Sequence, residues 1–315
     1  MRRFLLFAHT GRRAALSALR TVLQELTGRG VTPVLVGEQI DEICAQPADQ
    51  LPEGLTDLLR DEHVHRVNAV HADEGTELAI VLGGDGTILR ALELVRDADV
   101  PVHGVNLGHV GFLAESEAED LATTVARLLD GDYAIEQRSA LEITVRDRTD
   151  AVLTTGWALN EASLEKSDRR KMVYAAVEID GRPVSSFGCD GVLLSTSTGS
   201  TAYAFSAGGP VIWPEVDAMM LVPLAAHALF ARPLVLGRSS EIAVELTDDD
   251  RDQHAVLTLD GRRGIDLTAG MRVEARLSQR SVRLVRLTAT PFADRLVEKF
   301  ELPVEGWRGR GQRQR

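Results

Sequence analysis

Short apolar runs alternate with helical segments over about the first 135 residues, and this alternation restricts the possible folds more than any other feature. Arg3–Ala8 and Leu78–Leu82 are almost uniformly apolar, as is typical of strands buried on both faces of a parallel sheet. Leucines at positions 16, 19, 23 and 26 follow the first run, with the spacing of one helix face. The pattern predicts an α/β domain with a doubly wound parallel sheet.

After Tyr133 the pattern changes to short strands with no helices between them. The predicted strands are Ala140–Val145, Val173–Ile179, Gly191–Ser195, Glu241–Leu246, Ala255–Leu259, Arg272–Leu277 and Val282–Arg286. Asp180-Gly181 and Asp260-Gly261 have the composition of hairpin turns. We therefore predict a mostly antiparallel C-terminal β domain.

The two patterns divide the chain into three parts. We assign residues 1–138 to the α/β domain and 139–282 to the β domain. Residues 283–315 form a C-terminal segment that we expect to return to the first domain, with a helix at Phe292–Phe300. Its end, from Gly306 to Arg315, is rich in Gly, Gln and Arg and is predicted to be a disordered tail.

Charge and composition restrict the classes of partner that the chain is expected to bind. The chain has 47 acidic and 35 basic residues, a net charge of −12, which disfavours nucleic acid as a partner. Two cysteines are too few for a disulfide framework and indicate a reducing compartment. The longest mainly apolar run without a formal charge, Ala218 to Ala231, is too short to span a bilayer. We expect a cytoplasmic protein that binds neither nucleic acid nor membrane.

The strongest functional signal is Gly83-Gly84-Asp85-Gly86-Thr87, which lies between a buried strand and a helix. Glycines and a helix N-terminus at the carboxyl edge of a parallel sheet suit a phosphate group. The spacing matches neither the Walker A nor the dinucleotide-binding pattern. A carboxylate here repels phosphate unless it accepts a proton or meets a metal ion. The alternative interpretation makes Asp85 a helix N-cap beside a tight turn.

Two further stretches carry polar groups suited to a nucleotide. Gly188–Pro210 contains six hydroxyl side chains from Ser195 to Thr201, followed by Tyr203. Hydroxyls can bind ribose or phosphate oxygens, and an aromatic ring can line a base, although a Ser/Thr-rich helix cap has the same composition. Asn160-Glu161 ends an apolar strand and offers a donor and acceptors suited to vicinal ribose hydroxyls, although such a pair is also common in turns.

These three stretches resemble the motifs of the NAD kinase family, of the bacterial type that uses ATP or polyphosphate. The family phosphorylates the 2′-hydroxyl of the adenosine ribose of NAD to make NADP. The matching residues are Gly83–Thr87, Asn160-Glu161 and Thr198–Tyr203, with Thr10-Gly11-Arg12 after the first strand. The resemblance covers about residues 3 to 300. It implies an N-terminal α/β domain, a C-terminal β domain and an active site between them, in a homodimer or homotetramer.

The resemblance also implies residue roles. Asp85 would be the catalytic group that accepts the proton of the 2′-hydroxyl. Residues that would bind the nucleotides are Gly84, Gly86, Thr87, Arg90, Asn160, Glu161, Lys171, Asp190, Thr201, Ala202, Tyr203, Ala204, Phe205 and Ser206. Within that set, Arg90 and Lys171 would act as cations, and Asp190 would reach a neighbouring subunit's site.

The implied substrates are NAD and either ATP or polyphosphate, with Mg²⁺ or Mn²⁺ accompanying the donor. No residue of the chain is assigned as a metal ligand. The sequence departs from the family at Ser197, which stands where a proline is common. It departs again at Asp260-Gly261-Arg262, where many relatives have Asp-Gly-Gln, so Arg262 is a candidate phosphate contact.

Two other functions share part of this evidence. Lipid kinases of the diacylglycerol or sphingosine type have the same Gly-Gly-Asp-Gly-Thr loop, but they should lack the motifs at Asn160-Glu161 and Thr198–Tyr203. A non-catalytic NAD-sensing module would tolerate the loss of Asp85, which this chain retains.

Overall fold

A computed structural model of the chain describes residues 2–107, 111–117, 121–229, 231–247, 253–288 and 290–304. It separates two compact units, of which the first comprises residues up to Glu136 together with those from Arg283 onward, and the second Gln137–Val282. The sequence-based boundaries lie after residues 138 and 282. The predicted disordered tail lies outside the described residues.

The first unit is built on one eight-stranded sheet. Its strands are β1 (Arg3–Ala8), β2 (Thr32–Val36), β3 (His65–Val67), β4 (Leu78–Leu82), β5 (Val102–Asn106), β6 (Ser116–Glu117), β7 (Ala134–Arg138) and β20 (Val282–Arg286). The strand order is β3-β2-β1-β4-β5-β20-β7, with β6 paired to β5. Strands β1, β2, β3, β4 and β5 pair in parallel, which confirms the predicted sheet. The order reverses between β1 and β4, where open α/β sheets bind ligands.

Helices accompany this sheet. They are α1 (Arg13–Gly28), α2 (Gly37–Cys44), α3 (Leu55–Leu59), α4 (Asp85–Val95), α5 (Leu121–Asp130) and α7 (Phe292–Lys299). The predicted leucine face of α1 is buried, since Leu16, Leu19, Leu23 and Leu26 are at most 1% exposed. All five residues of β4 are buried, as a strand covered on both faces requires. Within the described ranges, no helix combines the length and apolar character needed to cross a bilayer.

The second unit contains two six-stranded antiparallel sheets, which confirms the predicted β domain. The predicted strand Val282–Arg286 is not part of it, because this strand pairs in parallel with β5 in the sheet of the first unit. Its elements are β8 (Leu141–Arg146), β9 (Val152–Ala158), β10 (Glu161–Lys166), β11 (Val173–Ile179), β12 (Arg182–Cys189), β13 (Gly191–Thr196), α6 (Tyr203–Ser206), β14 (Ala218–Leu224), β15 (Leu234–Gly237), β16 (Glu241–Leu246), β17 (His254–Leu259), β18 (Arg263–Thr268) and β19 (Arg272–Leu277). The sheet orders are β15-β14-β13-β10-β17-β18 and β12-β11-β16-β19-β8-β9.

The two sheets share one apolar core. Alternate residues of β8, namely Leu141, Ile143 and Val145, are buried in the same cluster as Leu164 and Leu257 of the other sheet. The intervening β8 residues are partly exposed, so the strand shows the alternation expected when only one face meets a core.

Both predicted hairpin turns are confirmed. Asp180 and Gly181 have φ of 52° and 72° and join β11 to β12. Asp260 and Gly261 have φ of 50° and 67° at the start of the loop between β17 and β18. These left-handed conformations are tolerated by Gly and, among other residues, best by Asn and Asp.

Candidate active site

Asp85 is the first residue of α4, directly after the turn that ends β4. Gly84 is the N-cap of this helix, and no side chain caps it. The interpretation of Asp85 as an N-cap is therefore wrong. The turn lies at the carboxyl end of β4, beside the end of β1, where the N–H of His9 bonds the carbonyl of Leu82 at 3.0 Å.

The three glycines around Asp85 differ in what surrounds them. A Cβ at Gly83 would lie 2.5 Å from Oγ1 of Thr87, so the turn has no room for a side chain there. A Cβ at Gly84 or Gly86 would meet nothing within 4 Å. The backbone at Gly84 and Gly86 thus has open space beside the N-terminus of α4, a position that suits an anion.

The Asp85 carboxylate is held by a distant backbone segment, residues 111–115, which we call the strap. The N–H of Phe112 donates to Oδ2 at 3.0 Å, and those of Leu113 and Ala114 donate to Oδ1 at 3.1 and 3.4 Å. An ionised carboxylate has about four acceptor sites, and the described residues occupy three of them, one on Oδ2 and two on Oδ1. Gly111 is packed so closely that a Cβ would collide with this carboxylate.

Two arginines of the C-terminal segment hold the other side of the strap. Nη1 of Arg286 donates to the carbonyl of Leu113 at 2.8 Å, and Nη1 of Arg295 to that of Phe112 at 3.3 Å. Arg286 is 7% exposed and forms an ion pair with Glu136 at 2.5 Å. The strap and its arginines were missed from the sequence because backbone donors carry no motif and the arginines lie about 170–180 residues from the strap.

Arg90 lies one turn further along α4 and is exposed. Its guanidinium is 5.4 Å from the ring centroid of Phe7 on β1. This cation–π contact keeps the positive charge over the carboxyl half of β1. Thr10, in the Thr-Gly-Arg segment after β1, is buried and donates through Oγ1 to Glu42 at 2.8 Å.

In the second unit the structure brings the two other motifs together. Asn160 lies in the turn between β9 and β10, and its carbonyl accepts the N–H of Thr196 at 2.9 Å and Oγ of Ser195 at 3.2 Å. Gly199 approaches the same carbonyl so closely that any Cβ would collide with it. The hydroxyl-rich loop is therefore packed directly against the backbone of Asn160.

Glu161 is the first residue of β10 and is only 7% exposed. Within the described part of the chain, the Oε2 of its carboxylate has no hydrogen-bond partner. Burial, and then the charge of Asp260, raise the pKa of Glu161 to about 7. A buried carboxylate oxygen without a hydrogen-bond donor is expected where a ligand's hydroxyl supplies the donor.

The segment from Thr201 to Ser206 presents some of its side chains and buries others. Tyr203, Phe205 and Ser206 are exposed, whereas Ala204 is fully buried in an apolar cluster with Leu193. The hydroxyl of Tyr203 donates to Oε2 of Glu165 at 3.2 Å. Burial, and then Glu165, raise the pKa of Tyr203. Ala204 is 0% exposed, and its carbonyl accepts the N–H of Gly209 at 2.8 Å.

Asp190 forms an ion pair with Lys166, whose Nζ lies 2.5 Å from Oδ1. Both line a cavity of about 430 Å³ together with Tyr203 and Ser206. Lys171 lines a second cavity of about 200 Å³, in which Lys166 also takes part. Sequence reasoning missed Lys166, although it is one of only three lysines in the chain and rarity was an available signal.

Metal ligands are the remaining question at the site. Among the residues described, no three His, Cys, Asp or Glu side chains cluster as a metal site. We therefore assign no metal ligand within the described parts of the chain.

Comparison with known proteins identifies the family. The model of the ATP-NAD kinase N-terminal domain matches residues 4–133, and that of the ATP-NAD kinase C-terminal domain matches residues 159–287. The chain belongs to the NAD kinase family. The NAD kinase of Leifsonia xyli is 53% identical over 98% of this chain and 97% of its own, and that of Thermobifida fusca is 50% identical over 98% and 92%.

Solved structures of NAD kinases have the same fold. The crystal structure of yeast NADH kinase complexed with NADH has a TM-score of 0.83 at 22% identity and covers 98% of this chain and 90% of its own. An NAD kinase from Archaeoglobus fulgidus in complex with ATP has a TM-score of 0.68 at 23% identity and covers 96% and 100%. The predicted family, fold class and kinase class are confirmed. Both domain models of the NAD kinase family match the chain, which the lipid-kinase alternative did not predict.

Proposed function

We propose that the chain transfers the terminal phosphoryl group of ATP to the 2′-hydroxyl of the adenosine ribose of NAD, which gives NADP. Family membership and relatives named NAD kinase support this reaction. The observation that carries the proposal is the Asp85 carboxylate at the start of α4, where strap N–H groups fix it and the described residues make one bond to Oδ2.

The chemical step needs one proton acceptor. Oδ2 of Asp85 takes the proton of the 2′-hydroxyl while the hydroxyl oxygen bonds the terminal phosphorus of the donor. The bond from that phosphorus to the bridging oxygen breaks, and the remaining nucleoside diphosphate leaves. Phosphoryl transfer depends mainly on positioning and charge neutralisation, which suits a carboxylate held rigidly by its surroundings.

The donor's phosphates bind at Gly84, Gly86 and Thr87. Open space at the two glycines and the N-terminus of α4 support this assignment. Arg90 on the same helix supplies a positive charge toward the phosphates, from the position it keeps over Phe7.

The acceptor NAD binds through the second unit. Asn160 and Glu161 hold ribose hydroxyls, and the unpartnered Oε2 of Glu161 accepts one of them. The adenosine is lined by the segment that contains Thr201, Ala202, Tyr203, Ala204, Phe205 and Ser206, of which Tyr203, Phe205 and Ser206 are exposed. Lys171 provides a cation, and Asp190 contacts NAD in a neighbouring subunit, so the active form is a homodimer or homotetramer.

A divalent cation, Mg²⁺ or Mn²⁺, belongs to the donor and neutralises charge on its phosphates. No protein ligand and no step is assigned to it. Polyphosphate is proposed as an alternative donor, because the contacts assigned to the donor are to phosphates alone. We also propose a cytoplasmic location, because the two cysteines indicate a reducing compartment.

The proposal is tested by incubating the purified chain with NAD and Mg²⁺, with ATP in one arm and polyphosphate in the other. NADP is then measured with an NADP-specific dehydrogenase. We expect NADP in the ATP arm and in the polyphosphate arm. No NADP with either donor would contradict the proposed reaction, and NADP with ATP alone would remove polyphosphate from it.

A further inference from the structure

Asp260 lies at the end of β17 and makes three hydrogen bonds to the turn that carries Asn160 and Glu161. Its Oδ2 accepts the N–H of Leu159 at 2.9 Å, and its Oδ1 accepts that of Asn160 at 2.7 Å. Its own N–H donates to the carbonyl of Glu161 at 2.9 Å. One residue therefore binds three consecutive residues of the turn between β9 and β10.

The position of Asp260 is itself tightly specified. The residue has a φ of 50°, which Asp tolerates better than most side chains, and it is 6% exposed. Nη2 of Arg263 lies 3.0 Å from its Oδ2, and the Arg263 guanidinium lies 4.8 Å from the ring centroid of Trp157 on β9. The hairpin of β17 and β18 is thus fastened to β9 as well as to the turn.

We propose that Asp260 is a positioning residue for NAD, which orients Asn160 and Glu161 by fixing the backbone between β9 and β10. This inference rests on the proposed function, in which that pair binds ribose hydroxyls. A mainly architectural role would need only a stable hairpin. Two of the three hydrogen bonds that Asp260 makes to this turn instead go to the two residues assigned to the ligand.

Asp260 also acts on Glu161 through its charge. Burial makes the largest contribution to the raised pKa of Glu161, and the negative charge of Asp260 the next largest. Among the described groups, the backbone N–H of Tyr203 acts in the opposite direction and lowers the pKa of Glu161. Glu161 in turn contributes to the raised pKa of the Tyr203 phenol, and the positive charge of Arg263 faces Asp260. A neutral residue at position 260 would therefore lower the pKa of Glu161.

The test compares Asp260→Asn with Asp260→Glu, and uses isothermal titration calorimetry of NAD with the full chain. Asparagine keeps the shape but removes the charge and can accept only one of the two N–H bonds. Glutamate keeps the charge but displaces it by one methylene. We expect both variants to bind NAD about tenfold more weakly, the loss of a hydrogen bond to a charged group. Asp266→Asn, an exposed carboxylate on β18, is the control.

The pH dependence of binding separates positioning from stability. In the wild-type chain, NAD affinity should fall as the pH drops through about 7, because Glu161 loses its charge. In Asp260→Asn this midpoint should move to lower pH, whereas in Asp260→Glu it should not move downward. In a Glu161→Gln background the midpoint should be absent. Circular dichroism at each pH checks folding, and if Asp260→Asn does not fold, Asp260→Glu still gives the test of affinity.

Each outcome has one meaning. Wild-type NAD affinity and an unmoved midpoint in Asp260→Asn would overturn the inference, and so would wild-type affinity in Asp260→Glu if only that variant folds. A wild-type chain that binds NAD but forms no NADP would contradict the proposed function and leave this inference standing. A wild-type chain that does not bind NAD would contradict both.

Discussion

Two carboxylates of this protein are in opposite environments. Asp85 accepts three backbone N–H groups from the strap. Glu161 is 7% exposed and keeps a buried oxygen with no partner within the described residues. The first is oriented by hydrogen bonds within the chain, whereas the second keeps an acceptor for a ligand's donor. We propose that this difference separates a group held for chemistry from a group held for binding.

The sharpest way to break this comparison is Asp85→Asn. We expect kcat to fall by about 10²–10⁴-fold, the usual contribution of a general base, because an amide cannot take the proton. The affinity for NAD should change by no more than about twofold, because in this interpretation Glu161 and not Asp85 holds the nucleotide. Initial rates of NADP formation and calorimetry measure the two quantities.

The matched control is Asp57→Asn, an exposed carboxylate in α3. It should leave both quantities unchanged. A wild-type kcat in Asp85→Asn would remove the catalytic role of Asp85.

Gly111→Ala tests the strap without substituting Asp85 itself. The added methyl would collide with the Asp85 side chain and displace it. We expect kcat to fall by about 10–10²-fold, since small misplacements of a catalytic group cost this much. Gly28→Ala, at a position with nothing within 4 Å, is the control for added volume. Equal kcat values for the two variants would show that the strap does not position Asp85.

Glu161→Gln should act on binding. We expect KM for NAD to rise by about tenfold with kcat nearly unchanged, because a hydrogen bond to a charged acceptor is lost. The wild-type KM should rise as the pH falls through about 7, and the variant should not follow that change. Steady-state kinetics between pH 5.5 and 8.5 measure both. A large fall in kcat at unchanged KM would reverse the roles assigned to the two carboxylates.

The same variant has a consequence for stability without ligand. The pKa of Glu161 is raised in the folded chain, so its contribution to stability is complete below the unfolded value of 4.5 and is lost as the pH rises through about 7. Glu161→Gln removes this loss. Its gain in thermal midpoint over the wild type should therefore be larger at pH 8 than at pH 5, measured by circular dichroism. An equal gain at both pH values would contradict the raised pKa.

The smallest effect is expected from Tyr203→Phe. The exposed phenol gives up one hydrogen bond to Glu165, at 3.2 Å, while the ring and the backbone remain. We expect KM for NAD to change by no more than about twofold. A tenfold rise in KM would show that the hydroxyl, and not the backbone, connects Tyr203 to the nucleotide.

The sequence predicts the parts of this molecule that depend on neighbours along the chain. The buried strand β4, the glycine turn and the leucine face of α1 follow from local apolar spacing and were predicted. The turn at Asp260 was also predicted, from its Asp-Gly pair. Each of these features is determined by residues within a few positions.

The rest depends on contacts between distant residues. The strap contacts Asp85 through backbone donors 27 to 29 positions away. Backbone donors leave no pattern of side chains in the sequence. Asp260 was recognisable as a turn residue, but its bond to the N–H of Asn160 spans 100 positions. Glu161 is buried only because other parts of the fold cover β10. No sequence motif therefore predicts which carboxylate keeps an oxygen without a hydrogen-bond partner.

The central claim is that Asp85 accepts the proton of the ribose 2′-hydroxyl. A crystal structure of the chain with NAD and a non-hydrolysable ATP analogue tests it most directly. We expect the 2′-oxygen within hydrogen-bond distance of Oδ2 of Asp85, while Oδ1 keeps the N–H groups of Leu113 and Ala114. If both oxygens of Asp85 contacted only the strap and the 2′-hydroxyl bound elsewhere, the claim would be contradicted.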